Sequence, residues 1–410
     1  MATSELTRPD VTQRDCFFTS IALNYLSKAL ALASSVFEVY PHCRFVMSII
    51  DLRILSIDDL RHLESVCEEF KTQGRYLQIL DPLSLYEDSD AFRYKYTVVE
   101  ACTSIKPAVA LHLLETADRV TYLDPDTILY SPLPQDPNCG ENWDFQVTPH
   151  ILGPSAVGEV VSERLFLFYG SYNLGYFAVQ RTHQSLAFLR WWKNFCIDFG
   201  ADAPQTGLFV DQKPVDLLTS FVDRVSVIRH PGCNMAWWNM FCDQRKLMLG
   251  MKQVVHRGIL HELVFFHFSN LDNASQSNRL IARPLRGCAD SGATSRFIDQ
   301  DPALAALFRD YAERETKWRE TCSKIIEVAR ESHERRQDPS LLVRLLFCEA
   351  QRRGMVYDGD PFQDCTAKVL IRSVTQIVRN LKLRDVSAIR LALYGFFRSA
   401  LSPSLLRHYN

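Results

Sequence analysis

Short apolar segments alternate with helical patterns along the first half of the chain, and this alternation restricts the fold more than any other sequence feature. Cys16–Leu23 and Phe45–Ile50 have the length and composition of buried strands, while Tyr25–Val39 carries apolar residues at helical spacing. The pattern continues with a predicted helix, strand and helix at Ile57–Phe70, Tyr76–Leu80 and Thr97–Leu114. Such alternation is typical of an α/β fold, in which helices cover both faces of a sheet.

The stretch RVTYLDPDTILYSPL, at residues 119–133, runs from a short apolar segment directly into two acidic residues. Val120–Leu123 has the length of a buried strand, and Asp124 and Asp126 follow where it ends. In extended backbone, residues i and i+2 point the same way, so the two carboxylates converge and their repulsion favours a cation between them. Mg²⁺ and Mn²⁺ prefer such oxygen ligands, and Mg²⁺ completes its shell with water and phosphate oxygens. A solvated acidic turn is the alternative interpretation of this DxD pattern.

Polar residues also follow other predicted strands of the same sheet. Asn24 comes directly after the first strand and Asp51 directly after the second. Ligands of α/β sheets bind beyond the carboxyl ends of the strands. Because the DxD pair also follows its strand, the sequence predicts one ligand site at this edge.

The rest of the chain divides into a further part of the sheet, a polar stretch and a helical region. Residues 132–158 are rich in Pro, Gly and Asn, which predicts loops. Asn173–Gln180 and Val264–Phe268 have the pattern of further buried strands. The predicted domains are a first domain at 1–272, a linker at 273–302 and a helical C-terminal region at 303–410.

Composition narrows the class of protein. With 410 residues and 47% hydrophobic content the chain is globular, and its net charge of −2 lacks the basic excess of nucleic-acid-binding proteins. We expect a cytoplasmic protein, because the N-terminal segment lacks the apolar core of a secretory signal and no run of about 18 apolar residues occurs. The 12 cysteines are scattered singly, which favours reduced thiols over a zinc site.

Five sequence blocks occur in order along residues 15–270, namely TSIALNYL, CTSIKPAVALHLLE, YLDPDTILYSPL, YNLGYFAVQRT with LFVDQK, and FFHFSN. In content and order they resemble the bacterial metal-dependent GT-A glycosyltransferases, and more distantly the retaining group that includes glycogenin and the lipooligosaccharide galactosyltransferases. The resemblance implies a GT-A-like α/β fold for the first domain, with a mixed, mainly parallel sheet flanked by helices and with the C-terminal helices as an extension. It also implies transfer of a sugar from a nucleotide diphosphate sugar.

The same resemblance implies a metal site. Asp124 and Asp126 would bind a divalent cation, Mn²⁺ or Mg²⁺, together with His267 from the last block. Such a cation acts as a Lewis acid on the departing diphosphate. A histidine at a strand end also serves purely structural roles, which is the alternative for His267.

The first block of these enzymes contacts the base and ribose, which implies nucleotide binding by Thr19, Asn24 and Tyr25. Leu23 stands where many relatives have a lysine. Lys106 matches a family lysine that approaches the sugar or phosphates, and a solvated helix charge is its alternative role. The predicted donor-binding residues outside the first block are Asp51, Lys106, Asp124, Asn173, Gly175, Asn234, Trp238 and Ser269.

The fourth block supplies the residues that the resemblance places beside the sugar. Asn173 and Gly175 fall where relatives hold an amide and bare backbone against the donor sugar. Asp211 and Gln212, the predicted catalytic residues, resemble the Asp–Gln pair beside the anomeric carbon in the retaining group. Asp211 would orient hydroxyls and Gln212 would stabilise the cationic sugar, whereas a helix N-cap is the alternative role of Asp211.

A cluster of aromatic and amide side chains lies between the last two blocks. Aromatic faces stack on the apolar faces of sugars and amides bind hydroxyls, so the cluster is a candidate for donor or acceptor recognition, with core packing as the alternative. Its members are Asn234, Trp237, Trp238 and Asn239.

The sequence therefore predicts a metal-dependent glycosyltransferase that uses a nucleotide diphosphate sugar, with UDP favoured as the nucleotide and retention favoured over inversion. Its acceptor would be a glycan, a lipid-linked molecule or a protein. A haloacid-dehalogenase-type phosphatase also places a DxD at a strand end, but Ile128 occupies the position where that family usually has Thr or Val. The non-enzymatic alternative is a sugar-nucleotide-binding protein without turnover.

The end of the chain has the pattern of a basic amphipathic segment. Leu381–Asn410 mixes apolar residues with basic ones, a pattern compatible with peripheral contact with an anionic membrane. Packing against the first domain or against a partner is the favoured interpretation, and the membrane contact is the alternative.

Overall fold

The structure is a computed structural model of the chain. It describes residues 15–135, 140, 142–154, 163–242, 245–248, 250, 252–269, 271–273, 280–282, 301–357, 359–364 and 366–379. The predicted amphipathic segment Leu381–Asn410 and most of the predicted linker lie outside the described residues.

Strands and helices alternate through the first half of the described chain, as the sequence predicts. The strands are β1 (Asp15–Ile21), β2 (Arg44–Ile49), β3 (Tyr76–Leu80), β4 (Arg119–Leu123), β5 (Thr127–Leu129), β6 (Phe145–Pro149), β7 (Tyr172–Gln180), β8 (Asp202–Ala203), β9 (Leu208–Phe209), β10 (Val225–Val227), β11 (Lys246–Leu247), β12 (Gln253–His256), β13 (Ile259–Glu262), β14 (Phe265–His267), β15 (Leu271–Asn273) and β16 (Leu280–Ala282). The helices are α1 (Leu26–Val39), α2 (Ile57–Thr72), α3 (Ser89–Lys95), α4 (Val98–Ser104), α5 (Lys106–Leu113), α6 (Glu163–Tyr169), α7 (His183–Phe199), α8 (Leu218–Phe221), α9 (Trp237–Cys242), α10 (Pro302–Thr321), α11 (Ser323–Arg335), α12 (Leu341–Arg352) and α13 (Thr366–Arg379).

A seven-stranded sheet, in the order β10-β6-β7-β4-β1-β2-β3, forms the centre of the fold. Strand β7 runs antiparallel to its neighbours β4 and β6, and the other neighbouring strands run parallel. The sheet is therefore mixed and mainly parallel. Because helices flank it on both faces, the fold class predicted from the sequence is confirmed.

Successive side chains of a strand point to opposite faces, and here each face has its own hydrophobic core. Phe17 and Ile21 of β1 belong to a cluster that helices α1, α2 and α10 cover. Cys16 and Phe18 of the same strand belong to the opposite cluster, which helices α5 and α7 cover. This burial on both faces explains why the parallel strands have nearly continuous apolar sequences.

Two expectations about individual elements are wrong. The loop predicted at residues 132–158 contains strand β6, whose Phe145 and Val147 are fully buried. Its apolar segment is short, and the Pro, Gly and Asn residues on either side of it favour a loop prediction. The helix predicted at Thr97–Leu114 is two helices, because α4 ends before Ile105 and a proline at position 107 stands in the first turn of α5, where its missing N–H is tolerated.

The C-terminal helices pack directly against the sheet-containing part. Leu307 and Phe308 of α10 and Ile325 of α11 lie in the same hydrophobic cluster as strand β1 and helix α1. Arg344 of α12 forms a buried ion pair with Glu100 of α4. The division into domains stays a prediction. None of the helices in the described ranges is both long and apolar enough to cross a membrane.

This packing predicts that α10 is required for the stability of the sheet itself. Phe308 is 4% exposed and its ring lies 6.0 Å from Phe266 and 5.6 Å from Phe268, measured between ring centroids. We expect Phe308→Ala to lower the free energy of unfolding by about 3–5 kcal/mol in chemical denaturation monitored by far-UV circular dichroism.

Val356→Ala is the control, because this side chain is 89% exposed and its truncation should change the free energy of unfolding by less than about 0.5 kcal/mol. An unchanged main transition in Phe308→Ala, with loss of a separate minor transition, would show that the C-terminal helices fold independently.

Candidate active site

The two acidic residues lie in a tight turn between strands β4 and β5. The N–H of Thr127 donates to the carbonyl of Asp124 at 3.1 Å, which closes the turn around Pro125 and Asp126. The N–H of Asp124 donates to the carbonyl of Gly175 on β7 at 2.9 Å. Both carboxylates are thus held at the carboxyl end of β4 by backbone hydrogen bonds.

Strand pairing brings His267 to this turn. Strand β5 pairs antiparallel with β14, and the register places His267 opposite Thr127. The N–H of Phe268 donates to the carbonyl of Asp126 at 2.7 Å. As a result, Nε2 of His267 lies 3.1 Å from Oδ1 of Asp126 and 3.5 Å from Oδ2 of Asp124. Asp124, Asp126 and His267 can offer ligand atoms that all lie within 4.8 Å of one another.

Gly175 leaves the space that the His267 ring occupies. A Cβ at this position would lie 2.6 Å from both Cε1 and Nδ1 of His267 and 2.7 Å from Oδ1 of Asn173. Strand β7 runs antiparallel to β4 and begins at the same edge of the sheet, which is why Gly175 lies beside Asp124. The close approach of backbone and imidazole therefore requires glycine.

The imidazole and the carboxylates change each other's proton affinity. Burial lowers the pKa of His267, but the charges of Asp126 and Asp124 more than offset this effect and raise the pKa above its ordinary value of 6.5. Burial would raise the pKa of Asp126, yet His267 and Lys28 together hold it below its usual range. In this structure His267 and Asp126 form an ion pair that a cation would replace.

Lys106 connects the acidic turn with Asp211. Its Nζ atom lies 3.3 Å from Oδ1 of Asp124 and 3.1 Å from Oδ2 of Asp211, and it donates to the carbonyl of Leu174 at 3.2 Å. Burial lowers the pKa of Lys106, but the two carboxylates raise it above its usual range. Burial also raises the pKa of Asp211 to about 6, although Lys106 opposes this shift. Lys106 is therefore a charged group inside the site.

Tyr122 and His150 belong to the site, although neither was singled out from the sequence. The hydroxyl of Tyr122 donates to Oδ1 of Asp124 at 2.6 Å, and the i, i+2 spacing along strand β4 was the available signal. His150 follows strand β6 and its Nε2 lies 3.2 Å from Nδ2 of Asn173. Burial lowers the pKa of His150 to about 4, so the ring is neutral at pH 7 and can accept from that amide.

Two asparagines form a buried amide network below the acidic turn. Oδ1 of Asn173 accepts from the N–H of Gly175 and from Nδ2 of Asn234, each at 3.0 Å. Nδ2 of Asn234 also donates to the hydroxyl of Thr148 at 3.0 Å. Asn234 has a φ of +48°, a left-handed conformation that asparagine adopts more readily than most residues. The network fixes the start of β7 against the loop that precedes α9.

The Asp211–Gln212 pair is held rigidly beside β7. The carbonyl of Asp211 accepts from the indole N–H of Trp192 at 2.8 Å. Oε1 of Gln212 accepts from the N–H of Leu174 at 3.0 Å, and its Nε2 donates to the carbonyl of Tyr169 at 3.0 Å. The predicted N-cap alternative for Asp211 has no support in these contacts, since its carboxylate pairs with Lys106 instead.

One tryptophan of the aromatic and amide cluster, Trp238, contacts the site. The ring of Trp238 packs edge-on against His267, with 5.4 Å between the centroids, and lies 6.2 Å from His150. Asn239 caps the local turn, because its Oδ1 accepts from the N–H of Ala236 at 3.0 Å and its Nδ2 donates to the carbonyl of Asn234 at 2.8 Å. The side chain of Trp237 is outside the described part of the structure.

Asn24, Tyr25 and Asp51, three of the predicted nucleotide residues, follow strands β1 and β2 at the same edge of the sheet. Thr19 is fully buried within β1, whereas Asn24 and Tyr25 are exposed in the turn that follows it. Nζ of Lys28 lies 4.3 Å from the centre of the Tyr25 ring. Oδ1 of Asp51 accepts from the N–H of Leu23 at 2.9 Å, which ties the ends of the two strands together.

The structure thus brings most predicted site residues to one edge of the sheet, and their binding and catalytic roles stay predictions. One group, called the central group, includes Lys106 and the residues linked to it directly or through one another. A second group lies in and after strands β1 and β2. Ser269 is half-buried after strand β14, two residues beyond His267. The central group consists of Lys106, Asp124, Asp126, Asn173, Gly175, Asp211, Gln212, Asn234, Trp238 and His267.

Comparison with known proteins gives distant relatives. No protein-family model matches the chain. The uncharacterized protein YfnF of Bacillus subtilis (strain 168) is 29% identical over 196 residues, which make up 46% of this chain and 63% of that protein. The chain therefore spans less than two thirds of the length of this curated relative.

Several solved structures are similar to the chain. They include the galactosyltransferase LgtC in complex with donor and acceptor sugar analogs, at 17% identity and a TM-score of 0.36 over 72% of this chain and 95% of that chain. Mouse xyloside xylosyltransferase 1 is 11% identical with a TM-score of 0.38, over 63% of this chain and 97% of that chain. The glycosyltransferase GlyE of Streptococcus pneumoniae TIGR4 is 15% identical with a TM-score of 0.35, over 54% of this chain and 47% of that chain. All three of these proteins are glycosyltransferases.

The contact between Gly175 and His267 gives a first prediction for the site. We expect Gly175→Ala to displace the imidazole and to weaken Mn²⁺ binding about ten- to hundredfold in isothermal titration calorimetry, because the orientation of a metal-binding histidine depends on its surroundings.

Gly74→Ala is the matched control. A Cβ at Gly74 meets nothing within 4 Å, although its φ of +74° makes alanine unfavourable there. It should therefore lower stability and leave Mn²⁺ affinity unchanged. If Gly175→Ala binds Mn²⁺ as tightly as the unmodified chain does, His267 is not a metal ligand whose position depends on the space at Gly175.

The raised pKa of His267 gives a prediction about pH. Nε2 binds a metal only when it is neutral, so Mn²⁺ must displace a proton from the ion pair with Asp126. We expect Mn²⁺ affinity to rise as the pH increases through the raised pKa of His267 and to level off above it. Calorimetry in two buffers of different ionisation enthalpy should detect release of the proton.

His267→Gln should remove both the proton release and the pH dependence, whereas His112→Gln, at a partly exposed position on α5, should change neither. Mn²⁺ binding that is independent of pH and releases no proton would contradict the assignment.

Proposed function

We propose that the chain is a metal-dependent glycosyltransferase that transfers a sugar from a nucleotide diphosphate sugar, with a UDP-sugar as donor and Mn²⁺ or Mg²⁺ as the cation. One observation carries the proposal. Direct contacts join residues of the second, third, fourth and fifth sequence blocks at the carboxyl edge of the sheet. These residues are Lys106, the acidic turn 124–126, both parts of the fourth block at 173–175 and 211–212, and His267. This is the edge at which α/β folds bind ligands.

The charges of the site favour a divalent cation. The carboxylates of Asp124, Asp126 and Asp211 contribute three negative charges, and Lys106 contributes one positive charge. When His267 is neutral, these four groups carry an excess of two negative charges, and Lys28 adds one positive charge near Asp126. Carboxylate oxygens with one imidazole nitrogen form a donor set that suits Mn²⁺ or Mg²⁺. Asp124, Asp126 and His267 are the residues that would hold the ion.

The cation would act on the leaving group, and the surrounding residues keep its ligands in place. When bound, the cation supplies Lewis-acid stabilisation of the negative charge that develops on the leaving diphosphate. Tyr122 and Lys106 both bind Oδ1 of Asp124, and this leaves Oδ2 directed toward His267. Such fixed charges need little reorganisation during the reaction, which is how an enzyme lowers the barrier electrostatically.

The environment of Asp211 supports retention of configuration. An inverting enzyme needs a carboxylate that removes the acceptor proton. Asp211 is 1% exposed and its carboxylate is ion-paired with Lys106, so it is better placed to orient sugar hydroxyls than to accept a proton from an acceptor. Gln212 is fixed through both ends of its amide, and its oxygen has a second lone pair that can face a cationic sugar.

The acceptor and the cellular role extend the proposal. A glycan, a lipid-linked molecule or a protein is the proposed acceptor, and polysaccharide biosynthesis in the cytoplasm is the proposed role. The basic amphipathic pattern of Leu381–Asn410 supports peripheral contact with a membrane surface. The net charge of −2 supports a role without nucleic acid.

The proposal predicts a metal-dependent response to nucleotide sugars. A ligand that binds only the folded protein raises its stability, by about 2.7 kcal/mol at a concentration one hundred times its Kd. We expect a set of UDP-sugars to raise the thermal unfolding temperature more with Mn²⁺ than without it. Asp126→Ala should abolish the Mn²⁺-dependent part, and Asp58→Ala, at a side chain that is 84% exposed, should retain it.

Enzymatic assays distinguish the alternatives. Release of UDP from a UDP-sugar with Mn²⁺ would support transfer or slow hydrolysis of the donor. Phosphate release from a generic phosphomonoester would instead favour a phosphatase, and donor binding without hydrolysis or transfer across a broad acceptor panel would favour a binding protein. An unchanged Mn²⁺ response in Asp126→Ala would contradict the proposed site.

A further inference from the structure

Tyr311 of helix α10 lies next to the acidic turn. Its ring stacks on the ring of Phe268, with 4.1 Å between the centroids and 5° between the planes. The N–H of Phe268 donates to the carbonyl of Asp126 at 2.7 Å. A residue of the C-terminal helical region therefore packs on the residue whose backbone is bonded to the DxD motif.

The hydroxyl of Tyr311 is in an unusual position for a core tyrosine. The side chain is 1% exposed, and its oxygen has no hydrogen-bond partner among the residues that the structure describes. Leaving a buried polar group unpaired destabilises the folded state, because the group has lost its hydrogen bonds to water. Two other tyrosines show the usual arrangement: the half-buried Tyr130 donates to Asp310 at 3.1 Å, and the buried Tyr96 donates to the carbonyl of Cys196 at 2.7 Å. Among the described tyrosines, Tyr86 also has a buried hydroxyl without a partner.

The electrostatic surroundings of this hydroxyl belong to the site. Burial raises the pKa of Tyr311 well above its usual range, and Asp126 contributes more to this rise than any other charged group. Glu315 and Tyr25 contribute further. The carboxylate of Glu315 already accepts from the hydroxyl of Ser27 at 2.7 Å and pairs with Arg319 at 2.6 Å. Glu315 lies one helical turn after Tyr311, so this part of α10 contacts both Ser27 at the start of α1 and Phe268 beside the acidic turn.

Stacking on Phe268 does not by itself explain why residue 311 is a tyrosine. Phenylalanine would make the same ring contact with Phe268 and would bury no polar group. The unpaired hydroxyl therefore suggests a binding role. It is a neutral O–H donor on a ring that packs against Phe268, next to the acidic turn, and such a donor suits an anionic oxygen.

A second contact shows that the C-terminal helices border the same edge elsewhere. Nε2 of His333, on α11, lies 2.8 Å from Oδ2 of Asp51 at the end of strand β2. Asp51 is also bonded to the N–H of Leu23, in the turn that precedes Tyr25. Helix α10 thus packs against Phe268 beside the acidic turn, and α11 contacts Asp51 at the predicted nucleotide end of the site.

We propose that Tyr311 is a further binding residue of the donor site, whose hydroxyl donates to an anionic oxygen of the occupied site, and that helix α10 therefore forms one wall of that site. The acceptor oxygen is either on the Asp126 carboxylate that holds the cation or on the nucleotide diphosphate beside it. The inference rests on the proposed function. It assigns to the C-terminal helical region a role in the donor site, either through a metal ligand or through the diphosphate itself.

Tyr311→Phe tests this role because it keeps the ring and removes the hydroxyl alone. We expect the variant to bind UDP in the presence of Mn²⁺ about tenfold more weakly in isothermal titration calorimetry, as expected for one lost hydrogen bond to a charged group. Its unfolding temperature without ligand should be unchanged or higher, because an unpaired buried hydroxyl has been removed.

Titration with Mn²⁺ alone locates the acceptor oxygen. Weaker binding of Mn²⁺ alone would place the hydrogen bond on Asp126, whereas a loss that occurs only with UDP would place it on the diphosphate. Tyr130→Phe is the matched control, since it removes a hydroxyl that bonds α10 away from the acidic turn. It should lower the unfolding temperature and leave UDP and Mn²⁺ binding unchanged.

The two proposals fail in different ways. If the unmodified chain binds UDP with Mn²⁺ and Tyr311→Phe binds it equally well, the role of Tyr311 is wrong and the proposed function stands. A lower unfolding temperature in Tyr311→Phe with unchanged binding would make the hydroxyl structural. If the unmodified chain binds neither Mn²⁺ nor UDP, both proposals are wrong.

Discussion

The antiparallel pairing of Thr127–Leu129 with Phe265–His267 is the interaction on which the site depends. The acidic turn leaves the sheet at the end of β4 and continues into one of these strands, and the other strand ends on the imidazole. Backbone hydrogen bonds therefore set the separation of groups that are about 140 residues apart in the sequence. A side-chain contact alone would leave the imidazole free to rotate. The strand ladder and the space above Gly175 instead restrict it to one position, and a site of this kind needs such preorganisation.

Charge is distributed over the site in two layers. The acidic turn and His267 face the position of the proposed cation, and Lys106 lies behind them between Asp124 and Asp211. This buried lysine reduces the repulsion among the carboxylates and allows them to be close together without a metal. It does not neutralise them, so a divalent ion can still gain from binding. The C-terminal helices complete the arrangement from outside the sheet, because α10 covers Phe268 and α11 contacts the end of β2 through His333.

Local patterns in the sequence predicted the sheet well, because burial on both faces makes strands such as β1, β2 and β4 mainly apolar. Strand β6 was missed, since FQV is short and is flanked by turn-forming residues. The position of the acidic turn followed from the strand before it, but a role for His267 came only from the resemblance to a family. Tyr122 could have been found from its spacing to Asp124. The contacts of Lys106 with Asp211, of His333 with Asp51 and of Tyr311 with Phe268 depend on tertiary packing, for which a single sequence contains no local signal.

Crystals grown with Mn²⁺ and UDP would test the central claim most directly, through anomalous diffraction from the manganese. We expect an anomalous peak for Mn²⁺ within bonding distance of carboxylate oxygens of Asp124 and Asp126 and of Nε2 of His267. Oxygens of the diphosphate should complete the coordination. A bound UDP whose Mn²⁺ ion has no contact with His267, or an imidazole turned away from both carboxylates, would contradict it.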